Sequence, residues 1–293
     1  MSQKKHARTL TIANNKGGTG KSFTTMLLAD YAARQKMKVL VIDLDPQTNL
    51  SRRFVEMDYI NTDKTYEFVP PIHPEWDPND SEWTSGRSSA ADIWISDFPV
   101  VYPTKRHESI EILPGHSADL QKVEMVTQSD VFTKVLNRLY KFVRLEGVID
   151  AYDLILIDTR PSKGPLTSAA LFSSSNVVIP SEMEVPSIEG LLSMFGLVQS
   201  LNGSRPKNDQ LKISGILPNK FRKQTIIHKE HLHELSRDPK LKSYILPYYL
   251  SDRVGYKESM IVEADSIFDL PPKNPLRLEA TKVCKEIFKR VFG

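Results

Sequence analysis

NNKGGTGKSF, residues 14–23, decides the reading of this chain. It follows a short apolar run, TLTIAN, and precedes a helical pattern from Lys21 to Gln35 and a second apolar run, KVLVIDLD. Strand, glycine loop, helix, strand is a βαβ unit. Gly17, Gly18 and Gly20 let the backbone curl so that successive N–H groups face an anion, and the helix that starts near Lys21 adds the positive end of its dipole. In Gly20-Lys21-Ser22 the ammonium has the reach for β and γ phosphates, and the hydroxyl suits Mg²⁺. The loop has a second lysine, Lys16, and Asn15 stands where the strict G-x-x-x-x-G-K-[ST] pattern requires glycine. It is the deviant form, K-G-G-x-G-K-[ST].

Beyond the loop, apolar runs continue at α/β spacing. Strands are predicted at 109–114 (SIEILP), 152–158 (YDLILID), 176–180 (NVVIP), 211–219 (LKISGILPN) and 243–247 (SYILP). Helical patterns fall at 116–147, 166–174, 187–202, 225–236, 253–264 and 275–291. Such alternation predicts a doubly wound, mostly parallel sheet with helices on both faces. No repeat period or long linker divides the 293 residues, so one domain is expected. Residues 57–108, rich in Pro, Asp and Ser, read as a surface insertion.

Composition narrows the function classes. A hydrophobic content of 40% suffices for a real core. The single cysteine, Cys284, excludes a disulfide framework or a four-cysteine metal site within one chain, which makes a reducing cytoplasm the default. The apolar run after the basic start is only Leu10 to Ala13, too short for a signal peptide or a bilayer span. A net charge of +3 permits a polyanion partner without requiring one.

KGGTGKS, VLVIDLDPQTN and YDLILIDTRPS together resemble the ParA family of partition ATPases, within the MinD/ParA group of deviant Walker P-loop NTPases. NVVIPSEMEVPSIEGL and LPNKF extend the resemblance over nearly the whole chain. It implies ATP and Mg²⁺ as cofactors, with Lys16, Gly17, Gly18, Thr19, Gly20, Lys21, Ser22 and Phe23 around the nucleotide. Lys16 is then the lysine that crosses a nucleotide-sandwiched homodimer to the partner's phosphates, as arginine fingers do. Asp43 and Asp45 end the second strand on one face, beside the crevice where open α/β sheets bind ligands. The resemblance gives Asp45 the attacking water and Asp43 the magnesium shell, with Ser22 and the strand-end Asp158 as the other metal residues. Catalysis would rest on Lys16, Lys21 and Asp45. Arg160 stands where many relatives have proline, and its charge suits either a phosphate or an acidic neighbour.

Asn219, at a strand end, offers a donor and an acceptor to a purine edge, and Pro247 an apolar wall. The NK pair lacks the following aspartate of a guanine reader, which favours ATP over GTP. In the terminal helix Leu276, Ala280, Val283, Cys284, Ile287 and Val291 form a packing stripe, with Lys282, Lys285 and Lys289 on another side. With Arg290, Arg222 and Lys223 these lysines suit a phosphate-facing patch for non-specific DNA. Three readings compete: a ParA-like, nucleoid-associated ATPase stimulated by a ParB-like adaptor; a MinD-like membrane-cycling ATPase using the tail KEIFKRVFG; and a nitrogenase-reductase-like electron carrier, which a single cysteine disfavours. DPQ after the second strand supports the first. Other short relatives position protein cargo, and the sequence does not separate that role from DNA partition.

Overall fold

The computed structural model describes residues 7–61, 66–79, 83–96, 99–261 and 265–293. The basic start at 1–6, parts of the 57–108 segment and residues 262–264 of the expected helix 253–264 lie outside the described residues. The strands are β1 (Arg8–Ile12), β2 (Val39–Leu44), β3 (Asp58–Asn61), β4 (Tyr66–Val69), β5 (Tyr102–Pro103), β6 (Ile110–Leu113), β7 (Leu154–Thr159), β8 (Asn176–Ser181) and β9 (Lys212–Pro218). The helices of eight or more residues are α1 (Lys21–Arg34), α2 (Ser117–Glu124), α3 (Ser129–Phe142), α4 (Pro165–Ser173), α5 (Val185–Gly203), α6 (Ile226–Arg237) and α7 (Pro275–Phe292).

Seven strands form one sheet in the order β5-β6-β2-β7-β1-β8-β9. All its pairings are parallel except β5 with β6. Strands buried on both faces need apolar residues on both sides. In β2 and β7, Val39, Val41, Leu154 and Leu156 pack towards α1 and α7. The alternate residues Leu40, Ile42, Ile155 and Ile157 pack towards α2 to α5. The β2–β7 register sets Asp43 directly beside Asp158, and the β1–β7 register sets Ile12 beside Asp158. Pairing thus brings three strand ends to one edge.

Four expectations need correction. The pattern at 116–147 is broken after Glu124, and the chain turns extended at Gln128 before α3 begins. The run 243–247 makes only an isolated bridge, Ile245 to Ile216, because the chain arrives through turns at 241–244 and leaves at Pro247. Of the described residues in the expected helix 253–264, Val254–Glu258 are helical. The 57–108 segment is partly core: β3 and β4 form an antiparallel hairpin, β5 extends the main sheet, and Tyr102, Ala90 and Ala91 are buried. Arg106 anchors it to α1 through two short bonds to Asp30, Nε at 2.6 Å and Nη2 at 2.7 Å.

Candidate active site

The loop between β1 and α1 is built as an anion cradle. Gly18 and Gly20 have φ of 75° and 86°, the left-handed region that side chains disfavour. A Cβ on Gly20 would also lie 2.1 Å from Asn219 Nδ2. No side chain caps α1, whose N-cap is Gly20, so its first amide groups are left for a ligand. Lys21 is buried and its Nζ donates to the Lys16 carbonyl at 3.4 Å. Burial lowers the Lys21 pKa, against the attraction of Asp158 and Asp45, which favours its charged form.

The strand-end carboxylates surround it. Asp158 accepts from Ser22 Oγ at 2.6 Å and Thr25 Oγ1 at 3.1 Å. Asp43 accepts from Ser51 Oγ at 2.6 Å, Ser51 N at 2.9 Å and Asp45 N at 3.0 Å. Both carboxylates are fully buried and both pKa values are raised, chiefly by desolvation; each also feels a neighbouring aspartate. Two acids in adjacent register, with the buried Lys21 ammonium near enough to feel Asp158, fit a divalent cation. Among the described residues no group of three or more His, Cys, Asp or Glu is placed to hold a metal. A cation here would draw its remaining ligands from phosphate and water, as Mg²⁺ commonly does. Asp45 is nearly buried and turns its Oδ1 to the Gln47 amide at 3.0 Å.

Residues that the sequence did not single out hold this loop in shape. Thr48 is a buried β-branched residue at φ 52°, a strained conformation. A Cβ on Gly115 would lie 3.2 Å from Thr48 Cγ2 and 3.3 Å from the Asp43 and Asp45 carbonyls, so the end of β6 braces the aspartate loop through a missing side chain. The DPQTN string flagged the loop; only tertiary contact could flag Gly115.

Other expected site residues fall as follows. Lys16 Nζ lies 3.6 Å from Glu184 Oε2, at the lip of the cradle. Gly17 faces Pro161, whose Cγ lies 3.8 Å from a Cβ built there. Thr19 is buried, and its carbonyl accepts from Asn219 Nδ2 at 2.7 Å. Asn219 Oδ1 accepts from the Lys220 amide at 2.9 Å. The amide read as a purine contact is thus also a clamp on the loop. Pro247 is exposed. Phe23 packs its ring 5.2 Å from that of Tyr256. Arg160 faces Glu124 at 3.6 Å, the acidic neighbour of its two readings.

The basic patch is smaller than expected. Lys282, Lys285 and Lys289 are exposed along α7. Arg290 is turned inward: it bonds Glu286 at 2.9 Å and donates to the carbonyls of Ser214, Ser243, Tyr244 and Ile245. Its donors are committed to the fold. Arg222 pairs with Asp252 at 2.7 Å and Lys223 lies over the Tyr249 ring, yet both are exposed. The apolar stripe of α7 is docked, with Ala280, Val283, Cys284, Ile287 and Val291 buried. Phe288 stacks edge-on to Tyr31.

A family model for an AAA domain, AAA_31, matches residues 7–213. The chromosome-partitioning ATPase Soj of Thermus thermophilus is 28% identical over 230 residues, 76% of this chain and 73% of Soj. A McdA variant from Cyanothece, solved with ATP, superposes with a TM-score of 0.72 at 18% identity, covering 97% of each chain. A Borrelia burgdorferi protein assigned to plasmid partition, bound to AMPPNP, gives a TM-score of 0.69 at 19% identity over 97% of this chain and 100% of its own. With the deviant loop, the paired strand-end aspartates and the seven-stranded sheet already in place, the chain belongs to this AAA-domain family and to the ParA/MinD group of P-loop ATPases.

Proposed function

We propose that this protein is a Mg²⁺-dependent ATPase of ParA type that dimerises on ATP, binds DNA without sequence preference and is stimulated by a ParB-like adaptor in partition. The observation that carries the reading is the meeting of the glycine cradle with Asp43, Asp45 and Asp158 at one sheet edge. ATP is the expected nucleotide, by the missing aspartate after Asn219-Lys220. Lys21 and the free amides of α1 hold the phosphates. Ser22, Asp43 and Asp158 are the residues that would hold Mg²⁺, which supplies charge neutralisation to the reacting phosphates. Asp45, its Oδ1 oriented by the Gln47 amide, orients the attacking water. Lys16 reaches the nucleotide of a second copy, so the dimer lasts only while the γ-phosphate does. Turnover alone is slow, because the transition-state clamp is incomplete until the adaptor binds. On this reading the protein works in the cytoplasm, on the nucleoid. The docked stripe of α7 favours DNA over a membrane partner.

A phosphate-release assay tests the assignment of the water. Asp45→Ala should still bind ATP yet hydrolyse it at least about tenfold more slowly, leaving a persistent dimer. Unchanged turnover would assign the water to another carboxylate.

A further inference from the structure

Lys220 follows the loop clamp Asn219 and is set in the left-handed region at φ 49°. Such a conformation is uncommon for a residue with a Cβ. The Lys220 ammonium hangs over the glycine loop, 3.8 Å from a Cβ built on Gly18. Its only described acidic contact is Glu182 Oε1, at 3.1 Å, on the segment that follows β8. Two residues further on, Glu184 faces Lys16 at 3.6 Å. Two glutamates of one segment therefore meet two lysines on the rim of the cradle.

We propose that Lys220 is a further cationic ligand of the nucleotide's phosphates, and that Glu182 is its stand-in anion in the free protein. The inference rests on the reading of the loop as a nucleoside di- or triphosphate site. An ammonium above Gly18 finds a carboxylate at 3.1 Å in the free protein. Phosphate oxygens offer the same charge-assisted bond with more charge. Glu182 and the phosphates then compete for one ammonium, so the two side chains should affect affinity in opposite directions.

The test is titration with fluorescent mant-ADP and Mg²⁺, with pyrophosphate as competitor. Lys220→Met should raise the Kd for mant-ADP about tenfold, the loss of roughly one charge-assisted hydrogen bond, and raise the pyrophosphate inhibition constant in parallel. Glu182→Gln should lower both about threefold by removing the competitor. In the double variant the gain from Glu182→Gln should vanish. Lys220→Gly separates binding from folding: glycine accepts positive φ freely, so its thermal midpoint should hold or rise while its affinity falls as in Lys220→Met. Unchanged or weaker binding in Glu182→Gln, or pyrophosphate competition unchanged in Lys220→Met, would overturn the proposal. Wild-type protein that binds no nucleotide, or Lys21→Ala that binds like wild type, would overturn the nucleotide reading itself.

Discussion

Asp158 lies fully buried at the end of β7, with Asp43 beside it in the next strand. Its pKa is raised from 3.8, first by desolvation and then by Asp43. A carboxyl group raised in the folded state holds its proton more tightly there than in the unfolded chain. Its ionisation therefore removes stability as pH rises above the ordinary aspartate value, and the loss is complete only above the raised value. Ligand-free protein should melt lower at pH 8 than at pH 6. Asp158→Asn keeps an acceptor for Thr25 and a partner for Ser22 while abolishing the charge. It should flatten that slope and raise the melting point at pH 8 by roughly 2–4 °C, about 1 kcal/mol in a chain of this size, while hydrolysis is lost. Differential scanning calorimetry at the two pH values checks this, and an Asn variant that melts lower at pH 8 would show that the charged form is stabilised by its neighbours. The two loop lysines part by the same kind of test. Lys21 is buried against the cradle and Lys16 stands at its lip, so Lys21→Ala should lose nucleotide affinity outright. Lys16→Ala should bind nucleotide yet stay monomeric on size exclusion with a slowly hydrolysed ATP analogue. A Lys16→Ala dimer would remove the role across the interface. Both lysines were legible in the sequence because glycine-loop chemistry is local. Glu184, which faces Lys16, was not, nor was the meeting of Glu182 with Lys220, because only folding brings the end of β8 to the loop.

At the scale of elements, legibility follows how much of an element's burial its own sequence records. β2 and β7 are continuous apolar runs closed by aspartate, and they stand almost where the pattern put them. The hairpin of β3 and β4 was hidden because its exposed residues, among them Tyr59 and Tyr66, stack with each other at 5.3 Å and leave no clean alternation. α7 shows the two faces that its spacing predicted, and they should answer differently to substitution. Ile287 is fully buried against the α1 side of the sheet. Ile287→Ala should destabilise by about 2–4 kcal/mol through poorer packing and a residual cavity. Lys285→Ala and Lys289→Ala remove exposed side chains and should stay within about 0.5 kcal/mol of wild type. Urea titration measures all three. Equal losses on both faces would mean that the lysines serve the fold rather than a ligand.

On the proposed reading the cycle runs on a surface, and the whole molecule bears on whether that surface is a nucleic acid or a membrane. Its net charge of +3 is too small to argue either way, so the contest turns on where charge and apolar area are displayed. No helix among the described residues is long and apolar enough to cross a membrane, and insertion of α7 into an interface would require its buried stripe to leave the core. Lys282, Lys285 and Lys289 need no such rearrangement, since they already stand outside. Arg222 pairs with Asp252, next to Ser251, whose N and Oγ donate to Glu279 of α7 at 2.6 Å. On the proposed reading a patch built on one copy is small, and ATP-dependent dimerisation would double it and so tie DNA affinity to ATP. Binding to fragments of unrelated sequence should thus require ATP, ignore sequence and decline linearly on a log–log salt plot. Lys285→Ala with Lys289→Ala should make that slope shallower by about 0.9 for each phosphate that the dimer no longer neutralises, while nucleotide affinity is unchanged. Arg290→Ala should instead act through stability, because its donors serve the 243–245 turn. ATP-dependent sedimentation with anionic liposomes that is abolished by deleting residues 286–293, together with no DNA binding at low salt, would transfer the cycle to a membrane. That outcome would require α7 to undock in the ATP state, and a fall in hydrogen-exchange protection at Val283 and Ile287 would reveal the undocking directly.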